Sequence, residues 1–459
     1  MKKYAATKPS GVEWLGDVPA HWEVKRLKFV ADVHSGIAKG KKYLPNQELV
    51  EVPYLRVANV QDGYLNLDDI STISVTPAEA ESYQLCPLDI LMNEGGDNDK
   101  LGRGTVWEGQ ITPCIHQNHV FAIRHNGTVD SWFLSYFFGS SACKPYFFLS
   151  GNQATNLASI SSSAIADTPF PAPPLSEQRA IAAFLDERTA HLDGLIRRKE
   201  DLLKLLAEQR AALITRAVTR GLDATAPLRD SGVPWLGQVP AHWEVMPLKR
   251  DIELVTSGSR GWAEFYANEG QLFIRIGNLT RNSIEFDLSD IQYVAVPDGA
   301  EAERSSVRGG DIVVSITAYL GSVAVVPESL DKAYVSQHVA LVRPTHNRIL
   351  SKWIGYYILS EVGKTYLQMQ AYGGTKIQLS LDDVRTMPII VPPLAEQETL
   401  LAHIEKYVSR NDQMTDITNR EIAKLREYRA ALITAAVTGR IDVRAAVVPT
   451  PEPALADAL

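Results

Sequence analysis

Cysteine is scarce in this chain. Its 459 residues include three, Cys86, Cys114 and Cys143, with no CxxC spacing among them. That excludes a disulfide-stapled fold and a thiolate metal cluster, and it leaves buried or incidental thiols in a reducing compartment. Long hydrophobic runs are also missing. The longest apolar stretch, 311–326, is interrupted by Ser, Thr and Gly and reads as strands rather than as a membrane span. The basic N-terminus MKKYAATKPSG has no apolar core after it, so no signal peptide and a cytoplasmic location are expected. An excess of positive charge is lacking as well. Lys and Arg total 46 against 54 Asp and Glu, a net charge of −8, which argues mildly against generic binding to polyanions. The deficit is local: residues 11–175 hold 11 basic and 18 acidic side chains, and residues 224–394 hold 15 and 18.

What the chain has is a repeat. Ser10 to Lys28 reads SGVEWLGDVPAHWEVKRLK, and Ser231 to Lys249 reads SGVPWLGQVPAHWEVMPLK, with 15 of 19 positions identical at an offset of 231 − 10 = 221. Pro173–Gln178 (PPLSEQ) returns as Pro392–Gln397 (PPLAEQ), and Arg210–Thr215 (RAALIT) returns as Arg429–Thr434, both at an offset of 219. Between opening and closing motifs the likeness fades to echoes such as LRVANV (55–60) against IRIGNL (274–279). Each half is a constant opening, a divergent body and a constant closing segment, so an internal duplication sets the architecture.

The closing segments predict long helices. Ser176 is a good N-cap after Pro173-Pro174, and Gly221 and Gly439 stand where C-terminal caps belong. Alternating steps of four and three give Ile181, Leu185, Arg188, Leu192, Leu195, Lys199, Leu202, Leu206, Gln209 and Leu213, seven of them apolar. The second copy gives Leu400, Ile404, Tyr407, Asn411, Met414, Thr418, Glu421, Leu425, Tyr428 and Leu432, again seven apolar. About 44 helical residues span roughly 66 Å. A core helix is one reading of either seam; two matched seams in one chain favour the helices packing on each other, antiparallel. The bodies read as mixed α/β, with strands at 52–60, 120–124, 272–276 and 311–316, and packing helices at the aromatic-rich segments 132–138 and 353–359.

Motifs for catalysis are absent. The two Pro-Pro pairs are not preceded by Asn or Asp, as an adenine methyltransferase motif requires, and no G-x-G-x-x-G follows a strand. Gly36–Lys41 resembles a phosphate loop but is one residue short. Asp97, Asp99, Gly102 and Glu108 fit four positions of a calcium loop, yet Leu101 occupies a required oxygen-ligand position. No catalytic residue, metal or cofactor is expected.

Together the opening, the two PPLxEQ motifs and the two RAALIT endings are similar to the constant regions of the specificity subunit of bacterial type I restriction–modification systems, over essentially all the chain except its tail. The resemblance implies an α/β (mixed α+β) fold, with two globular target recognition domains separated by two long antiparallel coiled-coil helices in a pseudo-two-fold repeat. The expected division is a first target recognition domain at 1–175, a central helix at 176–223, a second recognition domain at 224–394, a distal helix at 395–444 and a disordered tail at 445–459. Each domain would read one half of a bipartite site in double-stranded DNA. The helices would set the gap, to at most roughly 19 base pairs, and dock two adenine methyltransferase subunits, which restriction (nuclease and translocase) subunits would join. The chain itself would be non-catalytic. An enzyme with fused recognition domains, or a coiled-coil scaffold that binds no DNA, are the alternatives.

Candidate DNA contacts follow from side-chain chemistry. Lys39, Lys41 and Lys42 form a basic cluster suited to phosphates or to a solvated loop. Lys100 and Arg103 lie in a Gly-rich stretch, where Arg suits a guanine edge. Arg56 and Asn59 are echoed by Arg275 and Asn278, and Gln117 by Gln337; matched positions suit either base contact or a shared structural role. In the second body Arg260 and Lys376 sit in Gly-rich loops, with Trp262 beside Arg260 left between packing and contact.

Overall fold

The computed structural model describes residues 2–96, 101–153, 158–258, 260–296, 299–373 and 377–444. The tail at 445–459 lies outside them. Two compact units form: one runs from the N-terminus to Arg198 and resumes from Arg420, and the other is Lys199–Asn419. No helix among the described residues is long and apolar enough to cross a membrane.

The two long helices are α1 (Leu175–Arg220) and α2 (Leu394–Val437). They pack together, and each gives one half to each unit. Arg429 meets Asp193 at 2.8 Å in the first unit, and Arg210 meets Asp412 in the second. From one pair to the next, 210 − 193 = 17 residues forward on α1 match 429 − 412 = 17 backward on α2, so the helices run antiparallel.

The buried seam departs from strict alternation. After Ile181 and Leu185 it takes Thr189, Leu192, Ile196, Leu206, Ile214 and Ala217, while Arg188, Leu202 and Gln209 are exposed. On α2 it takes Ile404, Asn411, Thr418, Ile422 and Leu432, leaving Met414, Glu421 and Tyr428 exposed. Two successive steps of four, 181–185–189, bring the repeat nearer to the 3.6 residues per turn of a straight helix and shift every second seam position by one.

Each body holds a four-stranded antiparallel sheet among its several sheets. In the first unit Ala31–Ser35, Val120–His125, Ile90–Asn93 and Gly104–Val106 form an antiparallel sheet in that spatial order, beside Ile115–His116, Val50–Leu55 and Ser71–Val75. The second unit repeats the first sheet with Ile252–Ser257, Val339–Pro344, Ile312–Ser315 and Val323–Val325. The expected strand at 52–60 stops at Leu55, because the side chain of Asn59 accepts a hydrogen bond from the Arg56 N–H at 2.8 Å and turns the chain. The aromatic segments are the expected packing helices, Ser131–Gly139 and Ser351–Leu359, burying Phe133, Phe137, Trp353 and Tyr357. Arg124 grips Asp89 with two hydrogen bonds of 2.8 and 2.7 Å, and Arg343 grips Asp311 with two of 2.9 and 2.7 Å, so a bidentate pair recurs where the sequences have diverged, half-exposed at its arginine in the first unit and buried in the second.

The repeated motifs are joins. Trp22 is buried in one core with Leu432, Ile433, Ile181 and Leu185, and Trp243 in another with Ile214, Ala217, Leu400 and Ile404, so each opening shares its core with both long helices. His21 bonds Glu177 at 2.8 Å, and His242 bonds Glu396 at 2.9 Å, linking PAHWEV to PPLxEQ in each unit. Buried Gln178 accepts from the Asp130 N–H at 2.9 Å and donates to the Pro173 carbonyl at 2.8 Å; Gln397 does the same with the Leu350 N–H at 2.9 Å and the Pro392 carbonyl at 2.8 Å. The RAALIT threonines accept from the chain just after each packing helix, Thr434 from the Ser141 N–H and Thr215 from the Glu361 N–H, each at 3.1 Å.

Candidate nucleic-acid interface

Glycine permits the central meeting of segments. A Cβ at Gly36 would stand 2.0 Å from the His116 carbonyl oxygen, and one at Gly258 would stand 1.7 Å from that of Val335. No side chain fits there. The chain after Gly36 therefore runs tight against 116–117: the Ile37 N–H donates to the His116 carbonyl and the Gln117 N–H to the Leu55 carbonyl, both at 2.9 Å. In the second unit the Gly258 N–H donates to the Ser336 carbonyl at 3.3 Å and the Ser336 N–H to the Ile274 carbonyl at 2.9 Å. Backbone bonding thus gathers the segments carrying Lys39–Lys42, Arg56 and Gln117 in one body, and those carrying Arg260, Arg275 and Gln337 in the other.

Within these clusters the side chains divide. Asn59 and Asn278 are buried, and their amides donate to the Asp69 and Asp290 carbonyls, both at 2.9 Å, so they hold the loop rather than face outward. Arg56 pairs with exposed Asp69 at 2.9 Å and Arg275 with exposed Asp290 at 2.8 Å, while the Nε of each arginine is buried with no hydrogen-bond partner among the described residues. Lys39 and Lys42 are exposed and form no ion pair among the described residues. Lys41 pairs with Glu79, and its ammonium holds that carboxyl down at about 2. Gln117 and Gln337 are half-buried and Arg260 is exposed. Trp262 is buried and stacks on Phe273 at 5.9 Å, which settles it as packing. Lys100 and Lys376 lie outside the described residues.

Arg103 joins through Asn93, whose N–H donates to the Arg103 carbonyl at 3.1 Å. It lines a cleft of about 370 Å³ with Gln61, Tyr64 and Lys144. Sequence reasoning missed Tyr64, which is 61% exposed, and Lys144, at the start of the helix Lys144–Ser150, because the segments that present them meet only in the tertiary fold.

The model of the type I restriction modification DNA specificity domain matches residues 19–205 and again 242–427. The chain is 23% identical over 432 residues to the type I restriction enzyme EcoBI specificity subunit of Escherichia coli, covering 92% of this chain and 87% of that one. It is 22% identical over 435 residues to the MjaVIII specificity subunit of Methanocaldococcus jannaschii, covering 93% and 94%. A chain solved in a study of complex assembly and conformational transition of the type I R-M system shares the fold with a TM-score of 0.71 at 16% identity, over 92% of this chain and 99% of that one. With two matched copies of the domain spanning most of its length, the chain belongs to the type I restriction–modification DNA specificity family.

Proposed function

We propose that each body reads one half of a bipartite DNA site, through the segments gathered around Gly36 in the first unit and Gly258 in the second. The single observation that carries this reading is the repetition of that glycine-centred meeting in two bodies of unlike sequence. A constant backbone frame with variable side chains is what two readers of different half-sites require.

Subunits of this family are non-catalytic; they act within a restriction–modification assembly and with DNA. The finer parts of the reading are that two adenine methyltransferase subunits dock on the helices, that restriction subunits join them, that the helices set the gap, and that the complex works in the cytoplasm. Exposed apolar side chains at Leu202, Leu205, Met414 and Ile417 on the helices support a protein partner there. Lys39, Lys41, Lys42, Arg56, Arg103, Gln117, Arg260, Arg275 and Gln337 are the proposed contacts.

Base-resolution adenine-methylation mapping in host cells with and without the gene tests the reading. A two-part motif that depends on the gene is expected, and exchanging residues 11–175 for another reader should alter one half alone. Methylation without sequence preference, or change in both halves, would refute it.

A further inference from the structure

The second reader carries an exposed apolar surface next to its gathered segments. The Ile316 N–H donates to the His338 carbonyl at 3.1 Å and the Leu379 N–H to the Ile316 carbonyl at 2.9 Å. The Ala318 N–H then bonds the Ile377 carbonyl at 3.2 Å, and Tyr372 and Gln378 exchange two backbone bonds of 3.1 and 2.9 Å. Gln337, the loop at 317–319 and the chain around 372 and 377–378 are therefore successive backbone neighbours. From this ribbon Tyr319, Tyr372 and Ile377 stand in solvent, 63%, 55% and 42% exposed. Ala318 has φ 58°, a left-handed conformation that a residue with a Cβ adopts at a cost. Such strain persists where the surroundings impose it and gathers at sites of function.

The first reader has the same ribbon with other side chains. The Glu94 N–H donates to the His119 carbonyl at 2.9 Å and the Ile160 N–H to the Glu94 carbonyl at 2.8 Å. Gly95–Gly96 pairs with Ala158–Ser159, which pairs with Asn152–Gln153. Where the second reader has Ile316 beside His338, the first has Glu94 hydrogen-bonded to His119. The backbone is kept while the chemistry changes from polar to apolar.

We propose that Tyr319 and Tyr372 are specificity-determining residues of the second reader, contacting base edges in the major groove, with the thymine methyl group the feature their rings fit. The inference rests on the reader assignment above and extends it to residues on a ribbon not included there. A core role is incompatible with their exposure. The phenol hydroxyl can donate to a phosphate, a role that Tyr319→Phe would abolish, whereas apolar contact of the ring with a base removes from water the surface now left in it. The ribbon's continuity with the segments of Gln337 and Arg275 places the rings where a duplex bound by those segments would meet them.

The test is methylation mapping with Tyr319→Ala, Tyr372→Ala and Tyr319→Phe, alongside binding of the purified variant methyltransferase complexes to duplexes carrying the wild-type site and its single-base substitutions. Each alanine variant should lose about tenfold in discrimination at one or two positions of the second half-site, leaving the first half-site unchanged. The phenylalanine variant should keep it. Unchanged discrimination in both alanine variants, or equal weakening on every duplex, overturns the proposal even if the wild type shows a normal two-part motif. A wild-type map with no two-part motif instead refutes the reader assignment, and this inference with it.

Discussion

Arg429 on α2 lies 2.8 Å from Asp193 on α1, and the duplication returns the pair with the helices exchanged, as Arg210 on α1 with Asp412 on α2. The counterparts stand 412 − 193 = 219 and 429 − 210 = 219 residues apart, the offset of the closing motifs. The two pairs thus fix the antiparallel register from both ends of the contact. Asp193 and Asp412 are 42% and 54% exposed, so water screens each pair and a double-mutant cycle on Asp193 and Arg429 should return a coupling of about 0.5 kcal/mol. The pairs lie in different compact units and share no residue, so disrupting both should be additive. Urea unfolding of the single, double and quadruple variants measures both expectations; strong non-additivity would mean that the pairs share a rearrangement.

The C-terminal glycines of the two helices offer a matched comparison. Gly439 has φ 73° and Gly221 φ 70°. A Cβ at Gly439 would meet Pro19 Cδ at 2.2 Å, whereas one at Gly221 would meet Trp243 at 3.2 Å. Gly221→Ala should cost about 1 kcal/mol for the left-handed backbone alone. Gly439→Ala adds displacement of the Pro19 ring and should cost about 3 kcal/mol. Equal losses in denaturant midpoint would contradict the close approach at Pro19.

These joins were legible because they are written twice. Trp22, Glu177 and Gln178 stand in motifs that return at constant spacing, and a repeated buried contact needs the same residues each time. The seam was legible in kind but shifted at every second position, since strict alternation assumed a 3.5-residue repeat where Thr189 marks the extra step. Asn59 and Asn278 echoed each other because both close the same turn, which periodicity alone could not separate from base reading. Tyr319 and Tyr372 gave no signal at all: their exposure depends on backbone bonds between segments far apart in the chain.

His116 marks a pH difference between the readers. It is 2% exposed, with Nδ1 2.6 Å from the Val120 carbonyl oxygen, and burial pushes its imidazole down to about 4. The folded state therefore binds fewer protons than the unfolded state between that value and the ordinary 6.5. Stability from the neutral ring is full above pH 6.5 and is lost as pH falls towards 4, by up to roughly 3 kcal/mol. Its counterpart is Val335, which pairs with Ile274 as His116 pairs with Leu55, and which does not titrate. Histidine-labelled NMR should find His116 neutral at pH 5.5, and hydrogen exchange at that pH should rise first around 115–123; titration near 6.5 would contradict the burial argument.

Asn411 breaks the symmetry of the seam. Its amide donates to the Leu206 carbonyl at 3.0 Å in a buried setting, while the equivalent position on α1 is Leu192. A buried amide in such a seam specifies register at a cost in stability. Asn411→Leu should therefore raise stability by about 1 kcal/mol in urea unfolding, as the residue at position 192 already shows that an apolar side chain is compatible with the frame. A loss above about 1 kcal/mol would mean that the Leu206 carbonyl needs this donor.

Lys39 and Lys42 are the residues through which an acidic body would meet a polyanion. Lys41 already serves Glu79, so neutralising Glu79 in the fold competes with its use on phosphate. Each phosphate contact contributes about 0.9 to the slope of log affinity against log salt. The variant with Lys39 and Lys42 both changed to Ala, assembled with its methyltransferase subunits, should show a slope smaller by about 2 between 50 and 200 mM salt. Affinity should fall alike for specific and unrelated duplexes, because phosphates carry no sequence. A selective loss on the specific duplex would assign these lysines to base edges, and an unchanged slope would return the 39–42 loop to the solvated surface.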